Sequence, residues 1–272
     1  MLTYPTFNPI ALQLGPLKVH WYGIMYLVGF AVAWYLARWR ARQPTSTWTA
    51  NDVDDLIFYA MLGVILGGRI GYVVFYGTSM WRNDLLYPFK IWEGGMSFHG
   101  GLAGVLVATA IFAHQRGRAV IDVFDFLAPL PGIGLMAGRL GNFINGELWG
   151  RVTTSRFGML VPDLNGNGVV GRFPSQLYEA ALEGLLLFLV LWLYTAKPRP
   201  RWAPAGLFLL LYSASRILVE FVREPDAQLG YLAGSFVTMG MILSLPMFLA
   251  GLLMWGYAHR RPQASGNFRR AA

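Results

Sequence analysis

Seven long apolar runs, at about 18–38, 54–76, 96–114, 122–143, 176–196, 203–222 and 231–258, constrain this chain more than any other feature. A helix rises about 1.5 Å per residue, so about 20 apolar residues cross the hydrocarbon core of a bilayer. The runs are continuous. Strands of a spanning barrel would instead alternate between lipid and lumen, so a barrel is excluded. Only 13% of the residues are charged, against about 25% in soluble domains. The expected fold is therefore an all-α polytopic membrane protein with seven transmembrane helices. Residues 1–272 form one transmembrane domain in this reading, with 144–175 a small extracytoplasmic cap between spans four and five.

Residues 1–17 carry no Lys or Arg and include Pro5, Pro9 and Pro16. A cleavable signal peptide starts with a basic stretch, so the first run is expected to be retained, behind an extended, surface-lying arm. With seven spans, the loops 39–53, 115–121 and 197–202 share a side with the C-terminal tail. Counting helix ends, that side holds twelve basic residues (Arg269 and Arg270 among them) and the other side seven, while Arg69, Arg139 and Arg216 lie inside spans. Basic residues accumulate in cytoplasmic loops. The N-terminus is thus expected outside and the C-terminus in the cytoplasm. The net charge of +8 reads as this topology signal and not as a nucleic-acid footprint. The chain has no cysteine, hence no disulfide, thiol nucleophile or thiolate metal site.

Alternating the helix directions places the polar residues of the spans at one depth. His20 and Tyr22 fall at the outer end of the first span, Arg69 in the outer half of the second, and Ser97 and His99 at the start of the third. Arg139 and Asn142 end the fourth, Gln176, Tyr178, Glu179 and Glu183 open the fifth, and Tyr212, Arg216 and Glu220 close the sixth. The seventh contributes no charge and reads as packing. Ionisable groups in spans are costly and normally face a bundle interior or an aqueous cavity. Tyr212, Arg216 and Glu220 are four apart and share a helix face. Two arginines without an evident partner, Arg139 and Arg216, suggest an anion, because a guanidinium matches phosphate oxygens in a fork.

The small-xxx-small spacings Gly63-Gly67-Gly71, Gly100-Gly104 and Gly134-Gly138 predict close helix contacts. Within the cap, Arg151 to Thr154 and Gly168 to Gly171 read as short strands joined through a turn at 165–168. A calcium loop over Asp163, Asn165 and Asn167 is rejected, since its twelfth position is Pro174 and not Glu. The loop 77–95, with Trp81, Tyr87, Phe89 and Trp92, reads as an arm at the membrane interface.

One stretch is specific enough to suggest a family. GRLGNFINGELWGR, at 138–151, resembles the signature of the prolipoprotein diacylglyceryl transferases. HWYGIMYLVGF at 20–30, GGMSFHGGL at 94–102, PSQLYE at 174–179 and SRILVEFVREPD at 215–226 are similar to that family's segments, in its order. The resemblance covers nearly the whole chain. One departure is Phe173, where many members have a histidine before PSQLYE.

What the resemblance implies is an enzyme of the bacterial cytoplasmic (inner) membrane, with its site toward the periplasmic face. It would move the diacylglyceryl group of phosphatidylglycerol to the lipobox cysteine thiol of a preprolipoprotein, making a thioether and releasing glycerol phosphate. Its partners would be that lipid, the lipobox peptide and the surrounding membrane lipids, with no nucleic acid, cofactor or metal. By motif position, Arg139 and Arg216 would bind the phosphate. Tyr22, His99, Asn142, Glu147, Gly150, Glu179 and Glu220 would complete the site, with Tyr212 on the Arg216 face. His99, Tyr22 and Glu179 are all candidates for the base.

Other classes fit less well. An anion channel or transporter would carry polar residues on through the inner halves of the spans, which here are apolar. Ser97 and His99 are two apart and point to different faces of a helix, unlike a nucleophile and its base. An acyltransferase His-x4-Asp motif is absent, since residues 25, 104, 119 and 264 are Met, Gly, Ala and Ala.

Overall fold

The computed structural model describes residues 1–15, 17–163, 168–225, 230–234 and 236–268. The chain is mostly helical and divides into two compact units, one of Met1–Leu36 with Leu127–Ala264, the other of Ala37–Phe126 with the residues from Ser265 on. Among the described residues, Ala50–Phe75, Ser175–Tyr194, Ala203–Glu220 and Met239–Arg260 are long and apolar enough to cross a membrane. The helices Val120–Leu127 and Pro131–Asn145 add a fifth if they count as one broken span. Helices also form at the two remaining apolar runs, Trp21–Ala41 and Phe98–Gln115.

The larger unit starts with three strands, β1 (Leu2–Thr3), β2 (Ile10–Leu14) and β3 (Leu17–His20), followed by α1 (Trp21–Ala41). β2 and β3 form an antiparallel hairpin, so Lys18 and His20 belong to a strand and not to the first span as expected. The arm is extended, as its prolines imply, but it is also anchored. Tyr4 is buried and its hydroxyl donates to the Phe143 carbonyl at 2.8 Å. β1 pairs in parallel with β4 (Met159–Pro162), which pairs antiparallel with β5 (Val169–Arg172).

β5 lies where a strand was expected, shifted by one residue. The expected strand at 151–154 is reduced to a single bridge between Val152 and Arg172, and β4 takes its place in the sheet. Residues 165–167 of the expected turn lie outside the described residues.

The run expected to span at 122–143 is broken into α5 (Val120–Leu127) and α6 (Pro131–Asn145), which bend by 49°. Pro129 and Pro131 are the cause, since each removes a backbone N–H and disfavours helix at the residue before it. The fifth run is also irregular. α7 (Ser175–Glu179) passes into a π-helical stretch, Ala180–Leu186, and then α8 (Leu187–Tyr194). π turns inside helices concentrate at functional sites, and this one carries Glu183.

α9 (Ala203–Glu220) and α10 (Met239–Arg260) pack where Gly206 meets Gly251. A Cβ on Gly251 would lie 2.8 Å from the Gly206 carbonyl. α6 meets the π stretch through Gly132 and Gly184, where a Cβ on Gly132 would lie 2.8 Å from the Gly184 carbonyl.

In the smaller unit, α2 (Ala50–Phe75) is started by a capping box. Thr49 accepts from the Asp52 N–H at 3.1 Å, and Asp52 accepts from the Thr49 N–H at 3.0 Å. A short helix α3 (Thr78–Asn83) follows, then α4 (Phe98–Gln115). α2 and α4 meet along the predicted glycine rows. A Cβ on Gly67 would sit 2.4 Å from the Gly100 carbonyl, and one on Gly104 would sit 2.0 Å from the Gly63 carbonyl.

Arg69, expected in the polar layer, is buried and fully used by the loop after α3. It donates to the carbonyls of Pro88 and Lys90 at 3.0 Å each, and to those of Tyr87, Gly94 and Gly95. Its guanidinium also covers the Tyr87 ring, which is buried, while Trp81, Phe89 and Trp92 of the same loop are exposed. Arg69 is therefore a structural anchor for that loop.

Candidate active site

The signature folds as the end of a helix. α6 stops at Gly146, whose left-handed backbone (φ 68°) suits a residue without a Cβ. The turn that follows puts Leu148 in the left-handed region as well (φ 60°). α7 holds it in place: Ser175 Oγ donates to the Leu148 carbonyl at 2.8 Å, and Gln176 donates to the Glu147 carbonyl. The segment PSQLYE thus serves as a clamp for the signature turn.

Gly150 is where two backbones approach. A Cβ there would lie 2.3 Å from the Val222 carbonyl. Its N–H donates to the Phe173 carbonyl at 2.8 Å. That contact uses only the backbone of Phe173, so it tolerates the departure from histidine.

Arg139, on the last turns of α6, points its Nε at Glu179 Oε2, 2.6 Å away. Its Nη1 donates to Asn142 Oδ1 at 3.3 Å, and Asn142 Nδ2 donates in turn to Glu147 Oε1 at 2.8 Å. Among the described residues, the second terminal nitrogen, Nη2, has no hydrogen-bond or ion-pair partner. The Arg139 side chain is 24% exposed, against 1% for Glu179.

Arg216, on α9, reaches Glu220 Oε1 at 2.5 Å, Glu179 Oε2 at 3.4 Å and Glu183 Oε1 at 3.6 Å. Arg223 adds a third cation, 3.2 Å from Glu220 Oε1 and 3.7 Å from Glu179 Oε1. Three guanidinium groups therefore face three buried carboxylates, carried by α6, the α7–π segment and the end of α9. Charges at this burial persist only in such pairs.

The expectation that Arg139 and Arg216 lack partners is corrected: both are held by Glu179. The reason is the fold. Residues from different helices meet only once rotation and register are fixed, and spacing along one run does not reveal that. The cation character survives the pairing, because the Arg139 side chain stays 24% exposed and its Nη2 has no partner among the described residues. Among the described residues, no group of three or more His, Cys, Asp or Glu is arranged to hold a metal ion.

The other expected residues divide as follows. Tyr22 packs on α6, where a Cβ on Gly141 would lie 3.0 Å from its ring, and its hydroxyl is 3.0 Å from that of Tyr26. Tyr212 stacks on Phe208, with centroids 5.9 Å apart, one turn before Arg216. His99 belongs to the smaller unit, exposed in the first turn of α4 behind the capping Ser97, with its ring edge-on to Phe98.

Sequence reasoning missed Arg223 and Thr238, and noted Glu183 without giving it a role. Arg223 had a signal, being three residues beyond Glu220 and so one turn away. Thr238, whose hydroxyl donates to Glu220 Oε2 at 2.6 Å, had none.

Comparison with known proteins identifies the family. The family described as prolipoprotein diacylglyceryl transferase matches residues 9–257. A phosphatidylglycerol–prolipoprotein diacylglyceryl transferase of Oleidesulfovibrio alaskensis is 59% identical over 258 residues, 95% of this chain and 96% of that protein. One from Coxiella burnetii is 56% identical over 262 residues, 96% of this chain and 99% of its own length. One from Legionella pneumophila is 52% identical over 255 residues, 94% and 98% of the two chains. The chain belongs to the prolipoprotein diacylglyceryl transferase family.

Proposed function

We propose that the arginine–glutamate cluster holds the phosphate of phosphatidylglycerol while its diacylglyceryl group moves to the lipobox cysteine of a preprolipoprotein. The enzyme is a transferase acting on phosphatidylglycerol and prolipoprotein, as its relatives' names state. A new C–S bond forms at the glycerol carbon as the C–O bond to phosphate breaks. Glycerol phosphate leaves with the bonding pair, and the thiol proton passes to a base.

The observation that carries this reading is Arg139, whose Nε is fixed on Glu179 while its side chain stays 24% exposed and its Nη2 has no partner among the described residues. A fixed cation of this kind stabilises the charge that grows on the phosphate oxygens without reorganising. Arg216, oriented by Glu220, supplies a second positive group beside it. Glu179 engages three arginines and is assigned to orienting them. Asn142, Glu147 and Tyr212 are assigned to the substrate side and Gly150 to the turn beneath, while the family resemblance keeps His99 and Tyr22 as the candidates for the base.

In the same reading the chain spans the bacterial inner membrane seven times, with the N-terminus and the 144–175 cap on the periplasmic side. The excess of Lys and Arg on the opposite side supports this orientation. Purified protein incubated with phosphatidylglycerol and a lipobox peptide should yield the diacylglyceryl thioether by mass spectrometry. The reading is abandoned if the peptide is unmodified, or if it is modified equally well in phosphatidylcholine alone.

A further inference from the structure

We infer that the start of α10 is part of the active-site machinery, with Thr238 as a positioning residue for Glu220 and Gly240 as the gap that admits its carboxylate. The inference rests on the reading of Arg216 as a phosphate ligand. Thr238 and Glu220 are both buried, 3% and 1% exposed. The Thr238 hydroxyl donates to Glu220 Oε2 at 2.6 Å and also accepts from the Met241 N–H at 3.3 Å, capping α10. One side chain thereby ties the first turn of the last helix to the carboxylate that holds Arg216 and Arg223.

Gly240 completes the arrangement. A Cβ added there would lie 2.5 Å from Glu220 Oε1 and 2.7 Å from its Cδ. Oε1 is the oxygen that meets Arg216 at 2.5 Å and Arg223 at 3.2 Å. The obstructed atoms end a flexible side chain, so a methyl group at 240 would displace the carboxylate rather than the backbone. Glu220 is thus gripped from both sides, by a hydroxyl on Oε2 and by two guanidinium groups on Oε1. Releasing either grip frees Arg216 to turn away from where a phosphate would sit.

Gly240→Ala probes this role in a folded protein, since the added methyl group meets the movable end of the Glu220 side chain and not backbone. Its melting temperature is measured beside the rate, so that any stability lost with the displaced carboxylate is separated from the loss of transfer. Transfer should fall about ten- to a hundredfold in kcat/KM for phosphatidylglycerol, the range of a hydrogen bond to a charged group, with KM for the lipobox peptide unchanged. Thr238→Val should show the same kinetic pattern, and Thr238→Ser, which keeps the hydroxyl, should regain most of it.

Full activity in Gly240→Ala and Thr238→Val, or loss only in step with melting temperature, overturns the inference. Full activity in Arg216→Ala would instead overturn the phosphate reading, and this inference with it.

Discussion

Arg139 and Arg216, on different helices, converge on a single oxygen: Oε2 of Glu179 lies 2.6 Å from Arg139 Nε and 3.4 Å from Arg216 Nη1. One buried carboxylate therefore sets the separation of the two cations proposed to receive the phosphate. Removing it leaves buried guanidinium groups without compensation, which costs about 3–5 kcal/mol. Glu179→Ala should unfold at markedly lower temperature than wild type in a detergent melt, as well as losing transfer.

The arginines themselves should fail at the chemical step. Arg139→Ala and Arg216→Ala are each expected to lower kcat by about a hundred- to a thousandfold, the usual loss when a donor to developing charge is removed. Arg216→Lys should recover only part of this, because an ammonium cannot offer the planar fork. Steady-state rates with phosphatidylglycerol check both; near-normal turnover in the lysine variant would reduce the role to a simple charge.

Glu220 orients Arg216 and does not touch the phosphate in this account. Glu220→Gln keeps an acceptor for the guanidinium, so it should lose less activity than Arg216→Ala. Equal inactivity in a folded Glu220→Gln protein would point to a direct role in the reaction.

A thiol has a pKa of about 8.5, so little thiolate exists at neutral pH. With His99 as its base, His99→Gln should be about a hundredfold slow or worse at pH 7 and should recover near pH 9, where the substrate ionises unaided. Rates across that range decide it. A loss that persists at every pH would make His99 a phosphate donor or a packing residue.

Two glycine rows that look alike in sequence should respond differently. Gly67→Ala forces a Cβ to 2.4 Å from the Gly100 carbonyl and should destabilise α2–α4 packing by about 1–3 kcal/mol. Gly134→Ala meets nothing within 4 Å and should be tolerated. Thermal melts of the two variants test the contrast.

That contrast shows where sequence reading works and where it stops. Hydrophobicity places helices at all seven apolar runs, because burial in lipid or protein demands it along the whole run. The break at Pro129 and Pro131 was present in the letters, but an averaged apolar run hides it. The signature named the family and its arginines. It could not show that Glu179 joins them, since a contact between helices depends on how each is rotated. Thr238 was less visible still: a threonine before an apolar helix signals a cap, and nothing in its neighbourhood signals Glu220. Arg69 shares the depth of the polar layer, yet the carbonyls of the 87–95 loop take its donors, which depth alone does not reveal.

The central claim is that phosphate held at Arg139 and Arg216 becomes the leaving group of a thioether-forming transfer. It is tested most directly by measuring glycerol phosphate release and peptide modification together, with purified enzyme, phosphatidylglycerol and a lipobox peptide. The account predicts one glycerol phosphate per thioether in wild type, and both products reduced together by about a hundred- to a thousandfold in Arg139→Ala. Thioether formed without glycerol phosphate, or undiminished transfer by Arg139→Ala, would contradict it.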